Sequence, residues 1–263
     1  MIVEVKNSIA HVAFNRPDSL NALNEHLAQA LGDIMGTIGQ DRSIRCVVLF
    51  GSGAHFMAGG DIKTFYEKLK SEPDCTARNE YFKTFIGTFH VGLTSMRTMP
   101  QPIIGKIRGA VAGAGVSLAL ACDLTIASED AFFTLAYCHI GTSPDGGSTY
   151  SLPRVTGMKR AMEIALLGDR FSAKIAMENG LVNRVVPGDN LDTEVDQLAE
   201  RLAVGPSHAY AHTKQLLNQS LHSSLEEQLT AEQRAFADCS TSNDFAEGIA
   251  AFVEKRTPSF KGD

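Results

Sequence analysis

Apolar positions along the chain change period several times, and each change predicts an element. Ile2 to Val5 and Ile9 to Phe14 read as two strands of a hairpin. From about Asn21 to Ile38, the residues Leu23, Leu27, Ala30, Leu31, Ile34 and Ile38 fall at helical spacing and predict an amphipathic helix. Ile44 to Phe50 and Pro102 to Ile107 are apolar, β-branched runs of buried-strand length, and Asp123 to Ala127 and Ala131 to Leu135 predict two shorter strands. Ser71 to Ala77 is polar and rich in breakers, which predicts a mobile loop before a helix ending near Met96. Ser172 and Gly180 bracket a further helix as N-cap and C-terminal glycine.

After Pro187-Gly188 the pattern is wholly helical: Leu191 to Val204, His208 to Gln219, Ser224 to Cys239 and Phe245 to Arg256. The chain thus divides into an α/β portion, 1–190, and a helical portion, 191–263, whose apolar faces call for a partner surface. At 263 residues and 44% hydrophobic, it can bury one large core, or one core with a helical appendage. The net charge of −6, with no basic cluster, excludes a nucleic-acid surface, although a few local cations and backbone amides can still hold an anionic ligand. Met1-Ile-Val-Glu-Val-Lys6 mixes acid and base in its first apolar run, unlike a signal peptide, and no apolar run approaches the roughly 20 residues that span a bilayer. Cys46, Cys75, Cys122, Cys138 and Cys239 are scattered and lack metal-ligand spacing, so they read as reduced thiols of a cytoplasmic protein that holds no metal and does not engage a membrane.

Two stretches of tiny residues carry the first chemical signal. Met57-Ala-Gly-Gly-Asp61 and Gly109-Ala-Val-Ala-Gly-Ala-Gly115 each follow an apolar strand-like run. Taken singly, Gly-Gly-Asp is an ordinary turn, and Gly-Ala-Gly before an apolar segment is a common device for close helix packing. Together they resemble two halves of an oxyanion hole. Gly60 leaves room for an approaching group, and the N-terminus of the helix Val116 to Cys122 offers free N–H groups and partial positive charge to a developing anion.

These segments, with Asn15 to Leu23, Met57 to Ile62, Gly109 to Asp123, Leu152 to Gly157, Ala176 to Val182 and Phe252 to Gly262, resemble the crotonase family, the enoyl-CoA hydratase/isomerase superfamily, over nearly the whole chain. The resemblance implies a crotonase-like α/β spiral of strand-strand-helix repeats with a C-terminal helical region, assembled as a homotrimer or homohexamer. It implies that the backbone N–H groups of Gly60 and Ala114 bind a thioester oxygen. It also implies that the chain around Ser19, Leu20, Ala22, Ala58, Asp61 and Ile62 meets the coenzyme A moiety of an acyl-CoA, and that Lys255 offers a cation to its phosphates, often across a subunit boundary. The ordinary reading of Lys255 is a solvated lysine near a helix C-terminus, where a cation is favourable in any case. No nicotinamide or flavin motif is present, and the implied chemistry needs no cofactor beyond the coenzyme A of the substrate itself.

Acid and base residues distinguish the reactions this frame supports. Family hydratases use two glutamates to activate and add water; Ser117 and Tyr137 occupy the matching positions, which argues against hydration. The candidate acid is Asp145, in Ile140-Gly-Thr-Ser-Pro-Asp-Gly-Gly-Ser-Thr-Tyr150. Pro-Asp-Gly is also a preferred β-turn sequence. The resemblance gives it a further meaning, because family isomerases place an acid in this loop to take a proton from C2 and return it at C4. Apolar surroundings should raise the proton affinity of such a carboxylate. Ser117 and Tyr137 then read as walls of the acyl site. An alternative is a 4-halobenzoyl-CoA dehalogenase-like enzyme, in which Asp145 attacks a ring carbon and His90 assists, although this chain lacks the tryptophans of that ring pocket. His90 otherwise reads as a packed or half-exposed helical residue. A third reading is a non-catalytic acyl-CoA-binding relative. The acyl group, aliphatic or aromatic, is open at this point.

Overall fold

The computed structural model describes residues 1–263. Its main sheet runs in the order β1 (Ile2–Lys6), β2 (Ile9–Phe14), β3 (Cys46–Gly51), β4 (Ile103–Ile107), β6 (Leu124–Ser128) and β9 (Arg184–Val186). Only β1 and β2 pair antiparallel, as the hairpin expected from the sequence; every pairing from β2 to β9 is parallel. Parallel strands are covered on both faces, which explains why β3 and β4 read as unbroken apolar runs rather than alternating ones. A second, smaller sheet joins β5 (Ala110–Ala112), β7 (Phe132–Thr134) and β8 (Phe171–Ser172). Successive turns of the chain place one strand in the main sheet and the next in the small one, as β4 then β5 and β6 then β7 do.

The helices are α1 (Glu25–Gln40), α2 (Ile62–Ser71), α3 (Cys75–Thr98), α4 (Ala114–Ala121), α5 (Ser148–Thr156), α6 (Met158–Leu167), α7 (Ala173–Glu178), α8 (Leu191–Ala203), α9 (Ser207–Ser220), α10 (Leu225–Cys239) and α11 (Asn243–Glu254). Helix α1 begins four residues later than its apolar spacing predicts. Leu20 and Asn21 take left-handed φ angles of 51° and 57°, and the Asn24 side chain accepts the Leu27 N–H at 3.0 Å as the N-cap. The expected loop from Ser71 to Ala77 shrinks to Glu72-Pro-Asp, because Asp74 accepts the N–H groups of Thr76 and Ala77 and starts α3. Helices α2, α5 and α6 were not anticipated; α2 buries no residue fully.

One face of the main sheet packs on α1, α3 and α4 in a core that includes Phe14, Leu31, Met35, Leu49, Phe89 and Met96. Helices α1 and α3 approach closely at Gly92, where a Cβ would lie 2.7 Å from Leu31 Cγ. The other face is covered by α8, whose Leu191, Val195, Ala199 and Ala203 meet Ile9, Cys46, Val48, Ile104 and Ile126. Helix α8, at the start of the helical portion, therefore packs into the core. Helix α9 is held to the sheet by Lys214, whose Nζ donates to Asp123 Oδ2 at 2.7 Å and to the Gln101 carbonyl at 3.0 Å. Helices α10 and α11 bury only Ala235, Asp244 and Ala251, and leave Leu225, Phe236 and Phe252 outward. No helix is long and apolar enough to cross a membrane.

Leu31→Ala opens a void where α1 and α3 are tightest and should cost about 3 kcal/mol. Urea unfolding should show a lower midpoint with an unchanged slope.

Candidate active site

The site begins with a register. Met57 and Val111 are parallel partners in an isolated bridge: the Met57 N–H donates to Ala110 O at 3.1 Å, and the Ala112 N–H to Met57 O at 2.9 Å. Three residues further along each chain stand Gly60 and Ala114, so parallel pairing carries both small-residue turns to one place. Gly113 adopts φ +49°, and a Cβ there would sit 3.6 Å from Gly59 Cα. Gly115 permits the approach, since its Cβ would lie 2.4 Å from Met57 O. The Gly60 N–H has no acceptor within the chain. The Ala114 N–H, first in α4, has none either. Two neighbouring N–H groups without acceptors, one at a helix N-terminus, suit an oxyanion.

A loop straps the Gly60 side in place. The Leu23 N–H donates to Gly59 O at 2.7 Å, the Asp61 N–H to Leu23 O at 2.8 Å, and the Ala58 N–H to Leu20 O at 3.0 Å. That loop is fixed by Asn21, fully buried, which donates to the Ser52 and His55 carbonyls and accepts the Arg16 N–H. Arg16 then binds the Ala22 carbonyl through Nη1 and Asp61 Oδ2 through Nη2 at 2.8 Å. Burial alone would raise the Asp61 carboxyl, but the Arg16 guanidinium and the Thr64 N–H outweigh it and hold it below its ordinary value. Asp61 is also the N-cap of α2. The sequence reading gave Arg16 and Asn21 no role of their own, although both lie in the Asn15 to Leu23 segment that carries the family resemblance.

The carboxylate lies on the other side of α4. Tyr137 Oη donates to Asp145 Oδ1 at 2.5 Å, and Asp145 Oδ2 has no hydrogen-bond partner in the chain and is not sealed from solvent. Ser117 Oγ donates to the Asp145 carbonyl at 2.9 Å, as does Ser148 Oγ. Ser117 and Tyr137, expected as acyl-site walls, both hold the acid, one by its backbone and one by its side chain. Ser117 lies one helical turn from Ala114, so the first turn of α4 fixes both an N–H donor and the acidic loop. The Tyr137 ring also closes on Gly113, within 3.7 Å of where a Cβ would be. His90 is exposed on α3, and its Nε2 accepts the Gly146 N–H at 3.2 Å, next to Asp145 in the chain.

Burial raises the Asp145 carboxyl above its ordinary value, against the opposing pull of the Tyr137 hydroxyl and of His90. Tyr137 is itself pushed up, by burial first and then by the charge of Asp145, so the phenol keeps its proton and acts as a donor. Phenylalanines border the space between the two halves. Phe65 lies where a Gly60 side chain would go and packs edge-on to Phe82 and Phe85, and Phe89 Cε1 is within 2.9 Å of where a Gly146 Cβ would sit. Of the remaining expected contacts, Ser19, Leu20 and Ile62 are exposed, Ala58 is half-buried and Ala22 is buried near the strap. Lys255 caps α11 in a left-handed conformation and shares no hydrogen bond or ion pair with the Asp145 cluster.

A two-sheet spiral that brings two acceptor-free backbone N–H groups together at the start of α4, with the half-buried Asp145 held from the same helix, has the crotonase architecture. Residues 4–263 match the family model for enoyl-CoA hydratase/isomerase, and the chain belongs to that family. It is 34% identical to 1,2-epoxyphenylacetyl-CoA isomerase of Escherichia coli (strain K12), covering 100% of this chain and 98% of that protein. It is also 34% identical to the mitochondrial enoyl-CoA hydratase of Pongo abelii, covering 97% and 84% respectively. The crystal structure of an enoyl-CoA hydratase from Polaromonas sp. JS666 matches at TM-score 0.92 and 33% identity, covering 99% of both chains.

The raised Asp145 has a thermodynamic consequence. Between the ordinary carboxylate value and its raised folded value, the folded state binds more protons than the unfolded state, so stability falls as pH rises through that window. Asp145→Asn should therefore raise the thermal midpoint at pH 7, with the gain vanishing once the pH drops below the ordinary Asp range. Calorimetry across pH checks this.

Proposed function

We propose that the protein is an enoyl-CoA isomerase that moves a double bond from the 3,4 to the 2,3 position of an acyl-CoA thioester. The observation that carries the reading is Asp145: a carboxylate fixed at one oxygen by Tyr137, free at the other, and raised in proton affinity by burial. A group that must accept a proton and give it back works best when its affinity lies nearer the operating pH. In this scheme the thioester oxygen takes the Gly60 and Ala114 N–H groups. Asp145 Oδ2 removes the C2 proton, electrons delocalise into the dienolate, and the same carboxylic acid returns the proton at C4. Each oxyanion donor is worth roughly 3–4 kcal/mol in comparable sites. One acid suffices, and Ser117 and Tyr137 have no part in adding water.

The coenzyme A moiety is assigned to the backbone near Ser19, Leu20, Ala22, Ala58, Asp61 and Ile62, with Lys255 reaching its phosphates from a neighbouring subunit of a homotrimer or homohexamer in the cytoplasm. No cofactor takes part. The chain lacks the tryptophans of the dehalogenase ring pocket, which favours the proton carrier over the ring-attacking nucleophile. His90 then positions the loop through Gly146 rather than joining the chemistry.

The test is trans-3-hexenoyl-CoA, followed by the ultraviolet absorbance of the conjugated product, with an unsaturated arylacetyl thioester run in parallel because of the Escherichia coli relative. Wild type should convert at least one, and Asp145→Asn should lose about 10²–10⁴-fold in kcat. Tyr137→Phe should move the acid limb of the pH–rate profile upward, because the lost hydrogen bond had lowered the Asp145 carboxyl. Inertness toward both thioesters, with coenzyme A binding retained, would favour the non-catalytic reading. Full activity in Asp145→Asn would remove Asp145 from the mechanism.

A further inference from the structure

The C-terminal helices carry a cluster of donor side chains that the proposed reaction does not use. His208 and His212 are one turn apart on α9 and share a face. Asp238 and Cys239 end α10, and the α9–α10 hairpin returns them to the same end of the pair. His212 Nε2 is 2.8 Å and His208 Nε2 3.2 Å from one atom, Asp238 Oδ2. The two rings are nearly perpendicular, at 84°, with centroids 4.7 Å apart. One ring nitrogen from each histidine and Cys239 Sγ lie within 4.8 Å of one another, all on half-buried residues. A groove of about 950 Å³ between α9 and α10 has His212 and Asp238 in its wall, which leaves a route for a small ion.

We propose that His208, His212 and Cys239, with Asp238 as fourth donor, bind one zinc-class divalent cation. Two imidazoles and a thiolate suit borderline ions such as Zn²⁺ and are poor ligands for Mg²⁺ or Ca²⁺, which demand oxygen. Tetrahedral zinc, with Zn–N near 2.0–2.1 Å and Zn–S near 2.3 Å, sets donors roughly 3.5 Å apart. The two ring nitrogens and the Cys239 sulfur, within 4.8 Å of one another, reach that size by side-chain rotation. On binding, the Cys239 thiol loses its proton to solvent, the imidazoles bind as neutral rings, and the cation takes the place of the protons now shared with Asp238. The ion would tie α9 to α10. The expectation of no metal rested on cysteine spacing, and this proposal revises it: the ligands come from two helices, only one of them is a cysteine, and the His208-x-x-x-His212 spacing was not weighed.

The test titrates reduced, metal-stripped full-length protein with Co²⁺ as a spectroscopic stand-in. A thiolate-to-cobalt charge-transfer band should saturate at one equivalent and disappear on adding Zn²⁺. Cys239→Ser should abolish the band. His212→Gln and His208→Gln should each weaken binding by more than the roughly tenfold cost of losing an outer partner. Zn²⁺ should raise the thermal midpoint of wild type and leave Cys239→Ser unmoved. Circular dichroism of the metal-free variants establishes that they fold. A missing band in wild type, or an undiminished one in Cys239→Ser, would overturn the proposal and leave an ordinary histidine–aspartate pair, with the isomerase reading untouched.

Discussion

The parallel pairing of Met57 with Val111 sets the position of the groups that would meet the reacting atoms. Two backbone N–H groups can share one oxygen only when two chain segments run side by side and both turn away at the same offset. The bridge supplies the first condition, and the turns at Gly59-Gly60 and Gly113-Ala114 supply the second. Side-chain bulk would separate the segments: at Gly115 the collision would be with the carbonyl of Met57, a bridge residue. The strap from Arg16 to Leu23 keeps the Gly60 side from relaxing, and the hydrogen bond from Gly113 to Thr134 ties the Ala114 side to β7. Donors fixed in this way need little reorganisation when charge develops on a bound oxygen, the condition under which electrostatic stabilisation is most effective.

The acid is built on the opposite principle. Asp145 lies where burial penalises its charge, and only one of its oxygens is satisfied within the chain. That costs stability and raises proton affinity in the same stroke. Helix α4 links the two designs, because its first turn presents the Ala114 N–H and, through Ser117, grips the backbone of Asp145. A shift of that turn would move donor and acid together, which makes α4 the rigid reference for the site.

Much of this was legible in the sequence. The four C-terminal helices, the hairpin and the buried strands followed from apolar period, and the small-residue turns drew attention because glycine there has a steric reason. What period could not show was association. Helices α8 and α9 both read as members of one C-terminal helical run, yet α8 covers the sheet alongside Val48 and Ile104. Asn21 bonds the Ser52 and His55 carbonyls and Arg16 the Asp61 carboxylate, partners distant in sequence that nothing local marks. Ser117 and Tyr137 looked like replacements that had lost a function. Their hydroxyls in fact donate to Asp145, a relation visible only once α4 and the Tyr137 turn are side by side.

The central claim is that a thioester enolate forms under the Gly60 and Ala114 N–H groups with Asp145 as the base, and it can be tested without knowing the natural acyl chain. Butanoyl-CoA, which has no double bond to move, should exchange its C2 hydrogens for deuterium in D₂O when followed by proton NMR. The account expects exchange with wild type and none above background with Asp145→Gln. Absence of exchange from a wild-type protein that binds the thioester, or equal exchange by the variant, would contradict it.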